Sequence, residues 1–335
     1  MSPRGRQRSS FAVWWGGWGA ISIAAAMVSC RRPIVQLTPL PSGAQAVSLL
    51  GDTLWNVPLP PGEGPHLVQQ LRAAQRQLTA RPSDPAAKLL VARRTAALGR
   101  LRDAVLLYNE VIEAEAGSVR LFRRRGELLF QLREFEAAAR DLKRAARDPG
   151  GAFVKEFVED SAAGLVGSLV RYQATLGLGI LEYARGDYPR AARTLVSALD
   201  ASDGADELVE SALWLGFALR RAGRTQDAAQ VFRGIPANVA AKSRSAELLL
   251  LQLFRGEVGL DSVRSHLQGG AAADEALVLY GLGFVQLVRA DTTGALDAFE
   301  QVLLLGQWAV RPSIVAEAEV ARLRSRGRGD VRRPP

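Results

Sequence analysis

One cysteine, Cys30, and two histidines, His66 and His266, are all the sulfur and imidazole ligands in 335 residues. A lone cysteine closes no disulfide loop, and this set is too small to assemble a nitrogen–sulfur zinc site, so a metal centre and a disulfide scaffold are both excluded. Phosphate loops are missing as well. Gly177-Leu178-Gly179 and Gly281-Leu282-Gly283 are not followed by the rest of a dinucleotide or Walker sequence, and they fall inside helical pattern, where glycine serves close packing. No pair of carboxylates stands out from ordinary helix-surface acids, which leaves a glycosidase-type site without support. Asp261, Ser265 and His266 contain the residue types of a hydrolase triad, yet on one short helix they cannot converge in a line. No catalytic residue and no cofactor are expected.

What is present is a chain with 48% hydrophobic and 23% charged residues, enough to build a core. Its net charge of +9 sits at the ends. Arg4, Arg6 and Arg8 open the chain, Arg31 and Arg32 follow Cys30, and Arg322, Arg324, Arg326, Arg328, Arg332 and Arg333 close it against Asp330 alone. These ends carry three, two and five net positive charges, which leaves residues 34–321 at −1. Nucleic acid is therefore not expected as a partner.

Residues 1–10 are arginine-rich and acid-free, and Phe11 to Ser29 carry no charge, the layout of a signal peptide over residues 1–29. Met27-Val28-Ser29-Cys30 resembles the lipobox of bacterial lipoproteins, with a small residue before the cysteine and Met27 where leucine is usual. The resemblance implies that Cys30 is acylated, becomes the new N-terminus and holds the protein to the cell membrane or outer membrane, outside the cytoplasm. Acylation by several chains would make such anchoring close to permanent, at ~0.8 kcal/mol per buried CH₂. The other reading is an uncleaved N-terminal helix, for which Gly16, Gly17, Gly19 and Pro33 make a poor membrane span. Residues 30–65 hold Pro33, Pro39, Pro41, Pro58, Pro60, Pro61 and Pro65 and read as an extended tether, within which the apolar stretch Val47 to Trp55 is expected to pack back on the first helices.

From residue 66 to 323 apolar residues recur at three- and four-residue spacing, which predicts helix throughout. A small residue recurs at Ala92, Gly126, Gly179, Gly216 and Gly283, an alanine at Ala104, Ala138, Ala191, Ala228 and Ala295, and a larger residue at Tyr108, Leu142, Leu195, Phe232 and Phe299. All three series share separations of 34, 53, 37 and 67. A period near 34 with these residue types resembles the tetratricopeptide repeat (TPR). The fold implied is all-α, a TPR-type α-solenoid of antiparallel helix pairs with about six repeats. The small residue would let the two helices of a pair approach, and the bulky one would fill the gap between successive pairs. Residues 153–171 are expected to insert an extra helix, residues 242–268 to form a degenerate unit, Ile314 to Leu323 to cap the array, and residues 324–335 to form a disordered arginine-rich tail. Gly306-Gln307-Trp308-Ala309 and Ala316-Glu317-Ala318-Glu319 resemble the end of a family of exported bacterial repeat lipoproteins.

In the TPR family the first helix of each pair lines a concave groove, and Arg93, Arg120, Arg123 and Arg124 correspond to ligand-facing positions. Arginine there suits a carboxylate through paired hydrogen bonds, although Leu90 replaces an asparagine of the family's carboxylate clamp. The same arginines can instead pair within the array with Glu127 and Glu134, and Phe122 and Phe130 can serve as packing residues. The function implied is a non-enzymatic scaffold or adaptor at the bacterial envelope that holds another protein or peptide in the groove. The alternative is an accessory, substrate-binding subunit of an envelope enzyme or of a secretion or assembly machine. The residues do not fix an oligomeric state.

Overall fold

The computed structural model describes residues 34–59, 62–115, 118–149, 155–160, 164–265, 267 and 271–330, with backbone alone at 155–160, 164–168 and 326–330. Helix α1 (Gly64–Ala80) precedes six hairpins: α2/α3 (Pro85–Ala97, Leu101–Ala114), α4/α5 (Val119–Gln131, Phe135–Arg147), α6/α7 (Val170–Ala184, Tyr188–Asp200), α8/α9 (Ala205–Arg221, Thr225–Gly234), α10/α11 (Ser245–Arg255, Leu260–Ser265) and α12/α13 (Ala272–Val288, Thr292–Leu304). Helix α14 (Arg311–Asp330) follows them. The chain is thus an all-α solenoid of helix pairs, and the degenerate unit is the hairpin closed by the short α11.

Local chemistry sets the ends of these helices. Asp84, Asp187 and Asp291 cap α2, α7 and α13 by accepting from the amides of Ala86, Arg190 and Gly294, satisfying donors that a helix start leaves unpaired. The first helix of each pair stops where the backbone turns left-handed. Glycine supplies that turn at Gly99, Gly186, Gly223 and Gly256, but Arg133 and Ala290 adopt it as well, each at φ 63°. For a side-chain-bearing residue this costs roughly 1–2 kcal/mol.

The repeat glycines are contact points within a pair. A Cβ on Gly126 would stand 2.9 Å from Leu142 Cγ, one on Gly179 2.6 Å from Leu195 Cγ, one on Gly216 2.0 Å from the Phe232 ring and one on Gly283 2.8 Å from the Phe299 ring. The bulky series therefore closes over the small residue of its own hairpin, and members of it also fill the gap to the next one as expected, Leu142 against Gly177 of α6 and Phe232 stacked on Phe254 of α10 at 5.3 Å. The paired glycines at 177 and 281 do face the preceding unit, against Leu142 and Leu250. Ala92, Ala104, Ala138, Ala191, Ala228 and Ala295 are all fully buried, as small residues at a close helix crossing must be.

Three expected segments differ. Residues 153–171 hold no inserted helix in their described part: β3 (Lys155–Asp160) and β4 (Gly164–Leu169) pair antiparallel with Val158 opposite Val166. Gly164 and Gly167 lower helix propensity there, and the valines favour a strand. The C-terminal helix begins at Arg311 and runs to Asp330, so residues 324–330 are helical and not a disordered tail. Arg324 contributes by pairing with Glu300 of α13 at 2.8 Å. The tether, finally, is docked from Val35 onward. Val35 exchanges two hydrogen bonds with the buried Asn109 side chain of α3, Arg102 donates to the carbonyls of Thr38 and Gln45, and Val57 lies against Gly99. Strands β1 (Ala46–Val47) and β2 (Thr53–Leu54) form a small hairpin in this strap. The stretch from Val47 to Trp55 does pack back, but it reaches α14 as well as the first helices, since Leu49 N–H donates to Glu317. Residues 1–33, with the expected signal peptide and Cys30, lie outside the described residues, as do His266 and residues 331–335.

Candidate functional site

The first helices of the hairpins face a concavity, and α14 occupies it. Every residue from Pro312 to Val320 is buried, Glu317 and Glu319 included. Helix α14 follows α13 through the turn at Gly306 and packs on α12, α13 and α6. Its anchors are ionic. Arg311 donates to Glu127 of α4 at 2.9 Å and to Glu210 of α8 at 3.1 Å. Arg133, in the turn between α4 and α5, grips Glu317, donates to the Trp308 carbonyl at 2.8 Å and lies 5.5 Å from the centre of the Trp308 ring. Glu319 meets Arg221 and Arg322, each at 3.1 Å, and accepts from the Tyr188 hydroxyl at 3.4 Å.

The electrostatics follow from this burial. Glu127 is desolvated, yet Arg311, Arg123 and Arg124 together outweigh that effect and hold its carboxyl below the ordinary value. Burial pulls the Arg133 guanidinium down, with Glu317 opposing. Glu210 shares Arg244 with Glu247 of α10. Burial, with Glu210 and Asp274 adding to it and Arg244 opposing, pushes the Glu247 carboxyl up to about 8. Tyr183 and Tyr280 join hydroxyls at 2.7 Å beneath α14, and burial above all raises both well beyond the ordinary phenol value. They stay neutral and hydrogen-bonded, which suits cohesion and not proton transfer.

The four candidate arginines separate. Arg123 is 2% exposed and pairs with Glu127 at 3.1 Å; a ligand-facing role for it gives way to the intra-array pairing. Arg124 is half-buried on the same helix, and Arg93 and Arg120 are exposed. Arg93 borders a shallow cleft of about 700 Å³ between α1 and α2, with Gln77, Arg81, Asp84, Leu89 and Leu90 on its walls. Glu134 does not take an arginine; it accepts from the Thr38 amide. Phe122 and Phe130 are buried packing residues, the first beneath Arg144. Asp261 accepts from Arg264, and the Ser265 hydroxyl donates to the Ser262 carbonyl, so these two of the triad-like residues are taken up locally, while His266 lies outside the described residues. Among the described residues no three His, Cys, Asp or Glu side chains are placed to hold a metal ion, and no helix is long and apolar enough to cross a membrane.

Sequence reasoning missed the residues that matter most in the concavity: Arg311, Glu317, Glu319, Arg133 and Glu210. One signal for α14 was available. From Ile314 to Val320 five of seven residues are small or apolar, and the other two, Glu317 and Glu319, lie two apart and so form no single polar stripe, the mark of a helix enclosed all round.

The family comparison agrees with this architecture. The Tetratricopeptide repeat profile matches residues 92–152 and 176–243, so the chain carries TPR units in its first four hairpins. No curated protein matches the sequence. Among solved structures, the chain is similar to a tetratricopeptide repeat protein from Parabacteroides merdae, at 14% identity and TM-score 0.48 over 75% of this chain and 92% of that one. It is also similar to BtubC from P. vanneervenii, at 13% identity and TM-score 0.42 over 73% and 89% of the two chains. The human IFIT1 dimer with PPP-AAAA is similar at 16% identity and TM-score 0.34, over 70% and 58%. TPR units generally mediate binding of other proteins or peptides, and the fold is typically a non-enzymatic scaffold.

Proposed function

We propose that this repeat array is a protein-binding scaffold held at the bacterial envelope by lipid on Cys30, and that its partner docks at the N-terminal end of the array. The observation that carries the docking site is the position of α14. It fills the concavity across α4, α6, α8 and α12, where a TPR groove would receive a peptide, and leaves Arg93 and Arg120 exposed on α2 and α4. Arginine at an exposed position suits a carboxylate-bearing segment of the partner, because a guanidinium holds planar anions through paired N–H donors. The lipobox-like Met27 to Cys30 supports the anchor, and the function requires no covalent chemistry.

The test is capture from crosslinked native envelopes, read by mass spectrometry, with Cys30→Ala as the anchoring control. Arg93→Glu combined with Arg120→Glu should abolish recovery of the partner while the circular dichroism spectrum is unchanged. Undiminished recovery places the docking surface elsewhere. An unmodified Cys30 in the native protein refutes the anchor.

A further inference from the structure

Eight large apolar side chains are exposed among the described residues, and five of them gather at the strap: Ile34, Val47, Leu49 and Trp55 on it, and Leu106 on the helix beneath. Their grouping follows from register. Ala46 opposes Leu54 and Val47 opposes Thr53. With Ala46 buried and Leu54 half-buried, the paired Val47 and Thr53 take the outward face of the hairpin, and Leu49 in its turn and Trp55 just past β2 are exposed beside them. On α3, Leu106 stands one turn beyond Arg102 and one before Asn109, the two residues that hold the strap. The exposure is not a loose end, because the segment is fixed by Asn109, Arg102, Glu134 and Glu317.

We infer that this outward face of the strap lies on the membrane surface, seating the array against the lipid headgroups. The inference rests on the proposed acylation of Cys30. Cys30 is four residues before Ile34, and four residues of chain span at most ~14 Å. Because the strap is already bound to α3 at Val35, no free tether remains to lift the array away, and the surface nearest the anchor is the one that carries the exposed apolar groups. Tryptophan suits that depth, since its ring is amphipathic and favours the headgroup level. Arg31 and Arg32 precede the face in sequence and are suited to lipid phosphates. One carboxylate, Asp52, stands at the tip of the β-hairpin and is bonded by Ser48, which fits an interfacial position and not deep insertion.

The test uses the native lipoprotein in vesicles of phosphatidylethanolamine and phosphatidylglycerol, with and without bromine on the lipid chains, and Trp55→Phe to isolate the Trp55 signal. Bromolipid should quench most of the Trp55 emission and aqueous iodide little of it. Val47→Ser with Leu49→Ser should reverse that order without releasing the protein, because the acyl chains still hold it; the Leu49 amide bond to Glu317 is a backbone contact that the substitution keeps. Trp55 emission untouched by bromolipid and quenched by iodide overturns the inference, and shielding from both marks a protein partner on this face and overturns it equally. The intact mass separates the two failures: acyl chains on Cys30 without Trp55 quenching refute only the seating, whereas an unmodified Cys30 refutes the anchor and the seating with it.

Discussion

Inside the hairpins, Leu142, Leu195, Phe232 and Phe299 close over glycines of the same unit with carbon against carbon. On the concave side, Glu127, Glu210, Glu317 and Glu319 meet arginines, some of them 184 residues away in the chain. The first set repeats a single contact at a constant separation, and its stabilisation comes from apolar area removed from water. The second set repeats nothing. Its charges were costly to desolvate, and such pairs add little net stability while making any mispairing expensive. The contrast teaches that the array holds itself together unit by unit, and that the ion pairs specify where α14 lies more than how tightly it adheres.

The strongest way to break this comparison is to end the chain after Val310. Ile314, Val315 and Val320 are fully buried, and at roughly 1.5–3 kcal/mol each their loss alone amounts to about 5 kcal/mol or more. Urea unfolding followed by circular dichroism should show a sharply lower midpoint, while helicity per remaining residue is nearly unchanged, because the hairpins keep the contacts between their own two helices, the four glycine contacts among them. A midpoint equal to that of the intact chain would show that α14 adds nothing to the array.

The same contrast explains how much was legible. The hairpin order, the small-residue series and the degenerate unit could be read because they depend on residues a fixed number of positions apart. The filled concavity could not, because Arg311 finds Glu127 and Glu210 only after the intervening units have stacked, and no periodicity records that. The strap was half legible: Val47 to Trp55 was too apolar for a spacer, but its bond to Glu317 spans 268 residues. The strand pair at 155–169 was lost because its helical reading rested on a short window interrupted by Gly164 and Gly167. Of the candidate arginines, sequence could name the helix faces but could not tell the buried Arg123 from the exposed Arg120.

A second effect, smaller and tunable, lies in the carboxyl of Glu247. Its folded value of about 8 stands above the ordinary 4.5, so between these values the native state keeps a proton that the unfolded chain has lost. Stability therefore falls as pH rises through that window and is flat above it. Glu247→Gln removes the titration. Relative to the parent, the variant should gain little at pH 5 and on the order of 3 kcal/mol by pH 8, taking 1.4 kcal/mol per unit as the scale. Thermal melts at the two pH values check this. An equal change at both would mean that Arg244 keeps Glu247 ionised in the folded protein.

The smallest effects give the sharpest comparison, because Arg133 and Ala290 occupy the same left-handed turn position in two hairpins, each at φ 63°. Glycine there relieves roughly 1–2 kcal/mol of backbone strain and returns up to about 1 kcal/mol as extra freedom of the unfolded chain. Ala290→Gly should therefore stabilise the protein by about 0.5 kcal/mol. Arg133→Gly receives the same relief but leaves Glu317 buried without its guanidinium, a loss of roughly 3–5 kcal/mol for a broken internal pair, so the net should be a destabilisation of about 3 kcal/mol. Opposite signs at equivalent positions, read from urea midpoints, would show that the strained Arg133 backbone is retained for its grip on α14. Equal and favourable changes would show that the turn tolerates arginine for no structural gain and that the Glu317 contact is dispensable.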